Sequence, residues 1–201
     1  VLLGIPAIQA NATSTVALLP GAAASMAGYR REVATHRAWL KTLFLPSLVG
    51  GAVGSVLLLR TPEKIFASIA PYLVLFATLL FLLQIVLSKR KGEVEAHAPH
   101  GPTTARWGVA TAAQLAVAVY GGYFGAGIGI LMLVLLGFLG LTDIHAMNGL
   151  KNFFGITINL VAATWFVING AVLWPVALVM VAGATAGGWA GAHFARRIGK
   201  E

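Results

Sequence analysis

Two short polar clusters interrupt otherwise apolar stretches of this sequence and offer groups suited to binding an anion. Their members are Asn11, Thr13, Ser14 and Thr15 in the first cluster and Asn148, Lys151 and Asn152 in the second. Asn, Ser and Thr side chains donate neutral hydrogen bonds, and Lys151 adds a full positive charge. Each cluster is predicted at the start of a helix, where unpaired backbone N–H groups carry partial positive charge. Together these groups suit an oxyanion.

Both clusters also have a structural interpretation. Asn11 and Asn148 could cap their helices, and Lys151 could extend its ammonium to the membrane surface along an apolar stem. Equivalent positions in an internal repeat, described below, add weight to the binding interpretation. The sequence leaves both interpretations open.

A glycine-rich segment is the second candidate for chemistry. Its candidate ligand-binding members are Gly121, Gly122, Tyr123, Gly125 and Gly127. Dense glycine permits an unwound backbone whose N–H groups face a ligand, as at the broken helices of many transporters. The alternative is that this GxxxG pattern only lets helices pack closely, which is the favoured interpretation for Gly50 and Gly54 and for the similar run on the last helix.

The acidic residues lie outside the apolar stretches. The only aspartate is Asp143, in a connection, and no predicted membrane span contains a carboxylate. This argues against a proton relay, an intramembrane aspartyl protease and a cation pore, and it favours a permeant anion. Without cysteine, His97 and His100 are too few for a metal site. No nucleotide-binding loop or nucleophile motif occurs, so we expect neither an enzyme nor a cofactor.

These residues are set in a chain whose composition predicts an integral membrane protein. Of its 201 residues, 58% are hydrophobic and 10% charged, against about 25% charged in soluble domains. Long apolar stretches occur at Ala38–Leu59, Ile65–Leu87, Trp107–Leu141, Met147–Ile168 and Ala171–Ala195. Because sustained alternation of polar and apolar residues is absent, the sequence predicts an all-α, polytopic transmembrane helix bundle.

The chain resembles itself, which predicts two homologous halves. Asn11 pairs with Asn148 and Gly50 with Gly187 at the same separation along the chain. We expect a first membrane repeat over 1–59, a linking helix and loop over 60–106, and a second repeat over 107–201. The segment 107–138 has no counterpart in the first repeat. That repeat is therefore predicted to be truncated at its N-terminus, with a similar glycine-rich segment upstream.

The basic residues indicate orientation. The net charge of +8 comes from Lys and Arg in short connections, a pattern that follows the positive-inside rule and gives no reason to expect a nucleic-acid partner. If 107–141 crosses twice, turning near Gly121–Gly125, nearly all basic residues share one side and only Arg60 and Lys64 face the other. A single crossing lowers this bias. The charges therefore favour two short crossings, cytoplasmic basic loops and inverted repeats.

At these residues the sequence resembles the TauE/SafE sulfite-exporter family over almost its whole length. The resemblance rests on four segments, 11–21, 121–127, 150–152 and 187–197. It implies two homologous halves and transport of sulfite or organosulfonate anions. The sequence differs from the family pattern because it lacks the first glycine-rich segment, the partner of 121–127.

The resulting expectation is a secondary transporter that exports a small sulfur-containing anion across a bacterial cytoplasmic membrane. The alternatives are a passive anion channel and a non-transporting assembly subunit. The expected partners are the anionic substrate and the lipid bilayer, and a homo-oligomer is compatible with the sequence. No catalytic or metal-binding residue is expected.

Overall fold

The computed structural model describes residues 4–91 and 104–198, and the described part of the chain is helical. Its helices are α1 (Ala7–Gly28), α2 (Arg30–Thr35), α3 (Arg37–Arg60), α4 (Glu63–Lys91), α5 (Thr104–Tyr123), α6 (Ile128–Phe138), α7 (Ile144–Ile168) and α8 (Trp174–Ile198). Residues 92–103 of the polar linker, with His97 and His100, lie outside the described residues. The all-α prediction is confirmed.

Three described helical segments are long and apolar enough to cross a membrane. They are Arg37–Arg60, Glu63–Leu80 and Ile144–Ile168. Two shorter apolar helical segments are Ile128–Phe138 and Trp174–Gly187. At 1.5 Å per residue α6 is about 16 Å long, roughly half the hydrocarbon core. One of the two predicted crossings in 107–141 is therefore only a half-helix.

Helices α3 and α5 run parallel and pack through glycines. Trp39 and Trp107 contact each other near the start of both helices, with tilted rings whose centroids are 5.2 Å apart. Farther along, Gly54 lies so close to α5 that an added Cβ would be 2.7 Å from the Tyr123 amide nitrogen. Glycine is required at such a crossing because a side chain would push the backbones apart. The structure thus confirms the packing interpretation for Gly54. A Cβ added at Gly183 or Gly187 of α8 would meet no described atom within 4 Å, so the packing interpretation is not borne out for these two glycines.

Helix α7 runs parallel to α3, and α1 runs antiparallel to both. Phe44 contacts Phe153 near the start of α3 and α7, with ring centroids 6.2 Å apart. Asn152 donates a hydrogen bond of 3.1 Å to Ser25, which is near the end of α1, whereas Ala12 near its start packs in a core cluster with Phe166. The two polar clusters lie on α1 and α7. Because these helices are antiparallel, the clusters have opposite orientations along the bundle.

The chain reverses between α5 and α6 at 124–127. Gly125 and Gly127 have φ of 78° and 79°, in the left-handed region that side chains with a Cβ rarely adopt. Helix α6 then runs back along α5, since Phe138 at its end lines the same groove as Val109 near the start of α5. The predicted reversal near Gly121–Gly125 is found a few residues later, because α5 stays helical through Tyr123.

The starts of α1 and α7 differ from the sequence prediction. Helix α7 begins at Ile144 and is capped by the Asp143 carboxylate, which accepts a hydrogen bond of 2.9 Å from the His145 amide. Helix α1 begins at Ala7, whose amide donates to the Glu63 carboxylate at the start of α4. Asn11 and Asn148 therefore lie in the second turns, and capping by either of them is excluded.

Candidate functional site

One face of α7 carries a stripe of polar and small residues. Asn148, Asn152, Gly155 and Asn159 recur at intervals of three and four, which is the spacing that places residues on one side of a helix. Lys151 lies beside them. Measured along the axis from Ile144 at 1.5 Å per residue, the stripe runs from about 6 Å to about 22 Å. It therefore reaches from one end of α7 to just past its middle.

This stripe faces a small cavity of about 150 Å³ between three helices. The lining residues are Ala22 of α1, Ile128 and Gly129 of α6, and Lys151, Asn152, Gly155, Ile156 and Asn159 of α7. The polar lining side chains are one ammonium and two carboxamides, with no carboxylate in the described lining. Cations of metal type prefer carboxylate or carbonyl oxygens, whereas an ammonium with amide donors is suited to an anion.

Lys151 is oriented by its neighbour Asn148. The ammonium donates a hydrogen bond of 2.9 Å to Asn148 Oδ1, and Asn148 Nδ2 donates one of 2.9 Å to the Ile144 carbonyl. Both side chains are half-buried. A neutral amide fixes the position of the ammonium without cancelling its charge, so the positive charge stays available to a ligand.

The start of α6 faces Lys151 across the cavity. An added Cβ at Gly129 would be 3.4 Å from Lys151 Cδ, so the lysine stem passes directly over the first turn of α6. Gly127 is the N-cap of this helix and no side chain caps it. The Ile128 and Ile130 amides donate to the Gly125 and Gly127 carbonyls, so the attraction for an anion here comes from the helix dipole and not from free N–H groups at these two positions. The cavity thus combines a full positive charge with the positive end of a half-helix.

Tyr120 holds the turn that precedes α6. Its hydroxyl donates a hydrogen bond of 2.8 Å to the Ala126 carbonyl inside the turn and approaches the Leu73 carbonyl of α4 at 3.4 Å. A Cβ added at Gly127 would lie 2.6 Å from the Ala77 side chain of α4, which is too close for two carbon atoms. The turn is therefore fixed against both α5 and α4, which sets the direction in which α6 points.

A comparison with protein-family models assigns this chain to a family. The family model described as "Sulfite exporter TauE/SafE" matches residues 1–201. The chain belongs to the TauE/SafE family. The resemblance noted in the sequence is thereby confirmed.

Two curated relatives of this TauE/SafE-family chain are named as membrane transporters. The "Probable membrane transporter protein" of Haemophilus influenzae is 27% identical over 203 residues, covering 99% of this chain and 75% of the relative. The "Probable membrane transporter protein ORF9" of Sinorhizobium sp is 27% identical over 202 residues, covering 100% and 74%. No solved structure matches the chain. Family and relatives together support a membrane transporter.

The structure places the first polar cluster of this TauE/SafE-family chain away from the cavity. Asn11 donates a hydrogen bond of 3.3 Å to the Tyr123 carbonyl, and the buried Thr13 hydroxyl accepts one of 3.0 Å from the Leu173 amide. Thr15 donates to the Asn11 carbonyl at 3.0 Å, and Ser14 is half-buried nearby.

Ser25, the α1 residue that meets Asn152, lies about 21 Å of helix axis beyond Asn11 at 1.5 Å per residue. The two clusters are therefore not brought together. The physical reason is direction, since equivalent positions on antiparallel α1 and α7 fall toward opposite ends of the bundle.

The glycine-rich segment divides into packing and turn residues. A Cβ added at Gly121 would clash with the Ile128 side chain, and one added at Gly122 would clash with the Gly51 carbonyl of α3, so both glycines permit close packing. Gly125 and Gly127 form the turn. Tyr123 lies beside Phe66, with ring centroids 5.8 Å apart, and its hydroxyl donates to Thr61 at 3.3 Å. None of these five predicted residues is among the lining of the cavity, whereas Gly129, two residues beyond them, is.

Sequence reasoning missed six of the eight lining residues of the cavity, namely Ala22, Ile128, Gly129, Gly155, Ile156 and Asn159. Asn159 lines the cavity, and its side-chain oxygen lies 4.0 Å from a Cβ built at Gly125. Ala22 and Gly155 have small side chains without chemical function, so only their placement reveals them. The helical spacing from Asn148 through Asn152 to Asn159 is the signal that would have identified Asn159.

Proposed function

We propose that this chain is a secondary transporter that exports a small sulfur-containing anion, such as sulfite or an organosulfonate, across the bacterial cytoplasmic membrane. The observation that carries the proposal is the cavity in which Lys151 faces the uncapped start of α6. Lys151 supplies the charge, while Asn152 and Asn159 supply amide donors that replace part of the water lost by the anion.

The position of this cavity suits transport. Transporters commonly place their substrate site where broken helices meet near the bilayer midplane, with a half-helix N-terminus directed at an anionic group. Helix α6 is such a half-helix, and α7 passes it at about the middle of its length. A single ammonium attracts the anion, and the absence of a second cation in the described lining favours its release.

The directions of α1 and α7 support an inverted pair of halves. These helices carry the equivalent polar clusters and run antiparallel in the structure. In an inverted-repeat transporter the two halves rock against each other around the substrate site, which exposes it to each side in turn. We therefore propose this architecture, with 1–59 and 107–201 as the two halves.

The charge of the connections supports the orientation. Arg37 and Lys41 begin α3 at the end of the bundle where α5 and α7 also begin, and we propose that this end faces the cytoplasm. Arg60 and Lys64 lie at the opposite end. Because α5 and α7 are parallel, the chain must reverse its direction between α5 and α6, within 107–141. This is the arrangement with two crossings, which gives the larger charge bias.

Flux measured in proteoliposomes tests this function. The purified protein is reconstituted, and uptake of radiolabelled sulfite is followed with and without an opposing sulfite gradient and an imposed proton or sodium gradient. A secondary transporter accumulates sulfite against its own gradient when the driving ion gradient is present. Flux only down the sulfite gradient would instead indicate a passive channel, and no flux above protein-free liposomes for sulfite or sulfonates would indicate a non-transporting subunit.

A further inference from the structure

Gly155 is a helix-interior glycine that packing does not explain. It lies near the centre of α7, where glycine weakens a helix relative to alanine. Gly51 and Gly122 are explained by neighbouring backbone, since an added Cβ at either would press on α7 or α3. A Cβ added at Gly155 meets no described atom within 4 Å, and its φ is not in the left-handed region. Neither contact nor conformation requires glycine there.

The space beside Gly155 is the candidate anion cavity. Gly155 lines it together with Ala22 of α1 and Gly129 of α6, so each of the three surrounding helices presents a small residue. At Gly129 the adjacent space is already occupied by the stem of Lys151, 3.4 Å from an added Cβ. At Gly155 the space is empty. A side chain at 155 would therefore extend into the volume available to a ligand.

We propose that Gly155 determines the maximum size of the anion that this transporter accepts. The inference rests on the proposed function and adds a specificity-determining residue to it. The cavity measures about 150 Å³. A methyl group at 155 would extend into this volume and exclude ligand atoms from the space around it. The anionic head would still meet Lys151, whereas the space for an organic tail beside Asn159 would shrink.

A homologous series of alkanesulfonates tests this proposal. Methane-, ethane-, propane- and butanesulfonate share one charged head and differ only in tail length. Each competes with radiolabelled sulfite for flux into proteoliposomes that contain the parent protein, Gly155→Ala or Gly155→Ser. We expect both substitutions to lower the apparent affinity for the longest accepted sulfonate at least tenfold more than that for methanesulfonate. Two side chains of similar size and different polarity should have the same effect.

Gly183→Ala is the matched control. Gly183 is a helix-interior glycine of α8 whose added Cβ also meets nothing within 4 Å, but it does not line the cavity. It should leave the ratio of affinities along the series as in the parent. Thermal unfolding of all variants in detergent shows that the protein is intact, and we expect no loss of stability for Gly155→Ala.

The outcomes separate the two proposals. If the parent carries sulfite but the ratio along the series is the same in Gly155→Ala and Gly183→Ala, the size limit is set elsewhere and this inference is overturned. An equal loss for all series members would also overturn it, because that result indicates a general disturbance of α7. If the parent carries neither sulfite nor any sulfonate, the proposed function itself fails.

Discussion

Lys151 Nζ donates a hydrogen bond of 2.9 Å to Asn148 Oδ1, one turn earlier on α7. This contact holds a positive charge about 10 Å from the first residue of the helix, at 1.5 Å per residue, while the stem of the lysine passes over Gly129 at the start of α6. Because Asn148 is a neutral amide, this pair is not a salt bridge and the charge of Lys151 is not neutralised by it. A charged side chain inside a membrane helix that its hydrogen-bond partner does not neutralise points to a functional role.

Replacing Lys151 should abolish most anion flux. Lys151→Gln keeps much of the side-chain length and a hydrogen-bond donor, but removes the charge that an anion would meet. A hydrogen bond to a charged group contributes about 1.5–3 kcal/mol, so we expect flux at low substrate concentration to fall about tenfold to a hundredfold. Proteoliposome flux at matched protein content measures this.

Lys41→Gln is the control for that experiment. Lys41 is an exposed lysine in the first turns of α3 and does not line the cavity. Lys41→Gln should change the initial rate of flux less than Lys151→Gln does. Equal flux for Lys151→Gln and the parent would remove Lys151 from the site.

Sulfite flux should depend more on the charge than on the size of the side chain at position 159. Asn159→Asp has nearly the same shape but places a carboxylate in the cavity, where it repels an anion and pairs with Lys151. We therefore expect Asn159→Asp to reduce sulfite flux further than Asn159→Ala does. Asn169→Asp, at the far end of α7 and outside the cavity, is the matched control. A smaller loss for the aspartate than for the alanine would contradict an anion site here.

Gly54 should be a stability position and not a binding position. An added methyl group would lie 2.7 Å from the Tyr123 amide nitrogen, between backbones that cannot move independently. Overpacking of this kind typically costs about 1–3 kcal/mol, so Gly54→Ala should lower the melting temperature of the purified protein. Gly183→Ala, with open space around it, should not. Similar melting temperatures for the two variants would argue against the described α3 and α5 contact.

Glu63 should stabilise α1 from outside that helix. Its carboxylate accepts hydrogen bonds from the Ala7 and Ile8 amides, which have no partner within α1. Glu63→Gln removes the charge that favours a helix start, and we expect a loss of about 1 kcal/mol in the free energy of unfolding. Lys64→Gln, the neighbouring exposed residue, is the control. Hydrogen exchange of the Ala7 and Ile8 amides should also become faster in the Glu63 variant alone.

Tyr120 should affect transport through the turn before α6. Tyr120→Phe keeps the ring that contacts Phe76 and Phe124 and removes only the hydroxyl that bonds the Ala126 carbonyl. The turn then loses one restraint, so α6 should point less consistently at Lys151, and flux should fall several-fold with little change in melting temperature. Tyr72→Phe, at an exposed position of α4, is the control. Unchanged flux in Tyr120→Phe would show that the turn is held without it.

The sequence was sufficient for properties that depend on composition and local pattern. Apolar stretches predict helices in a membrane because a backbone without water must satisfy its own hydrogen bonds, and the helical structure follows this prediction. Dense glycine predicted a break near Gly125, since only glycine readily adopts the left-handed conformation found there. Lys151 is predicted from the sequence because it adds a full positive charge to a polar cluster at an expected helix start.

The tertiary structure decided which of these residues meet. The sequence grouped Asn11 with Lys151 from their equivalence in the repeat, but antiparallel packing of α1 and α7 separates them, and Ser25 meets Asn152 instead. Gly155 has no side chain to single it out in the sequence, and the spacing that places Asn159 on the face of Asn148 and Asn152 does not show what that face meets. Both residues become important because the first turn of α6 and α1 leave a cavity beside them. Local pattern determines helices, whereas the arrangement of a site depends on the directions and lengths of helices that are distant in the chain.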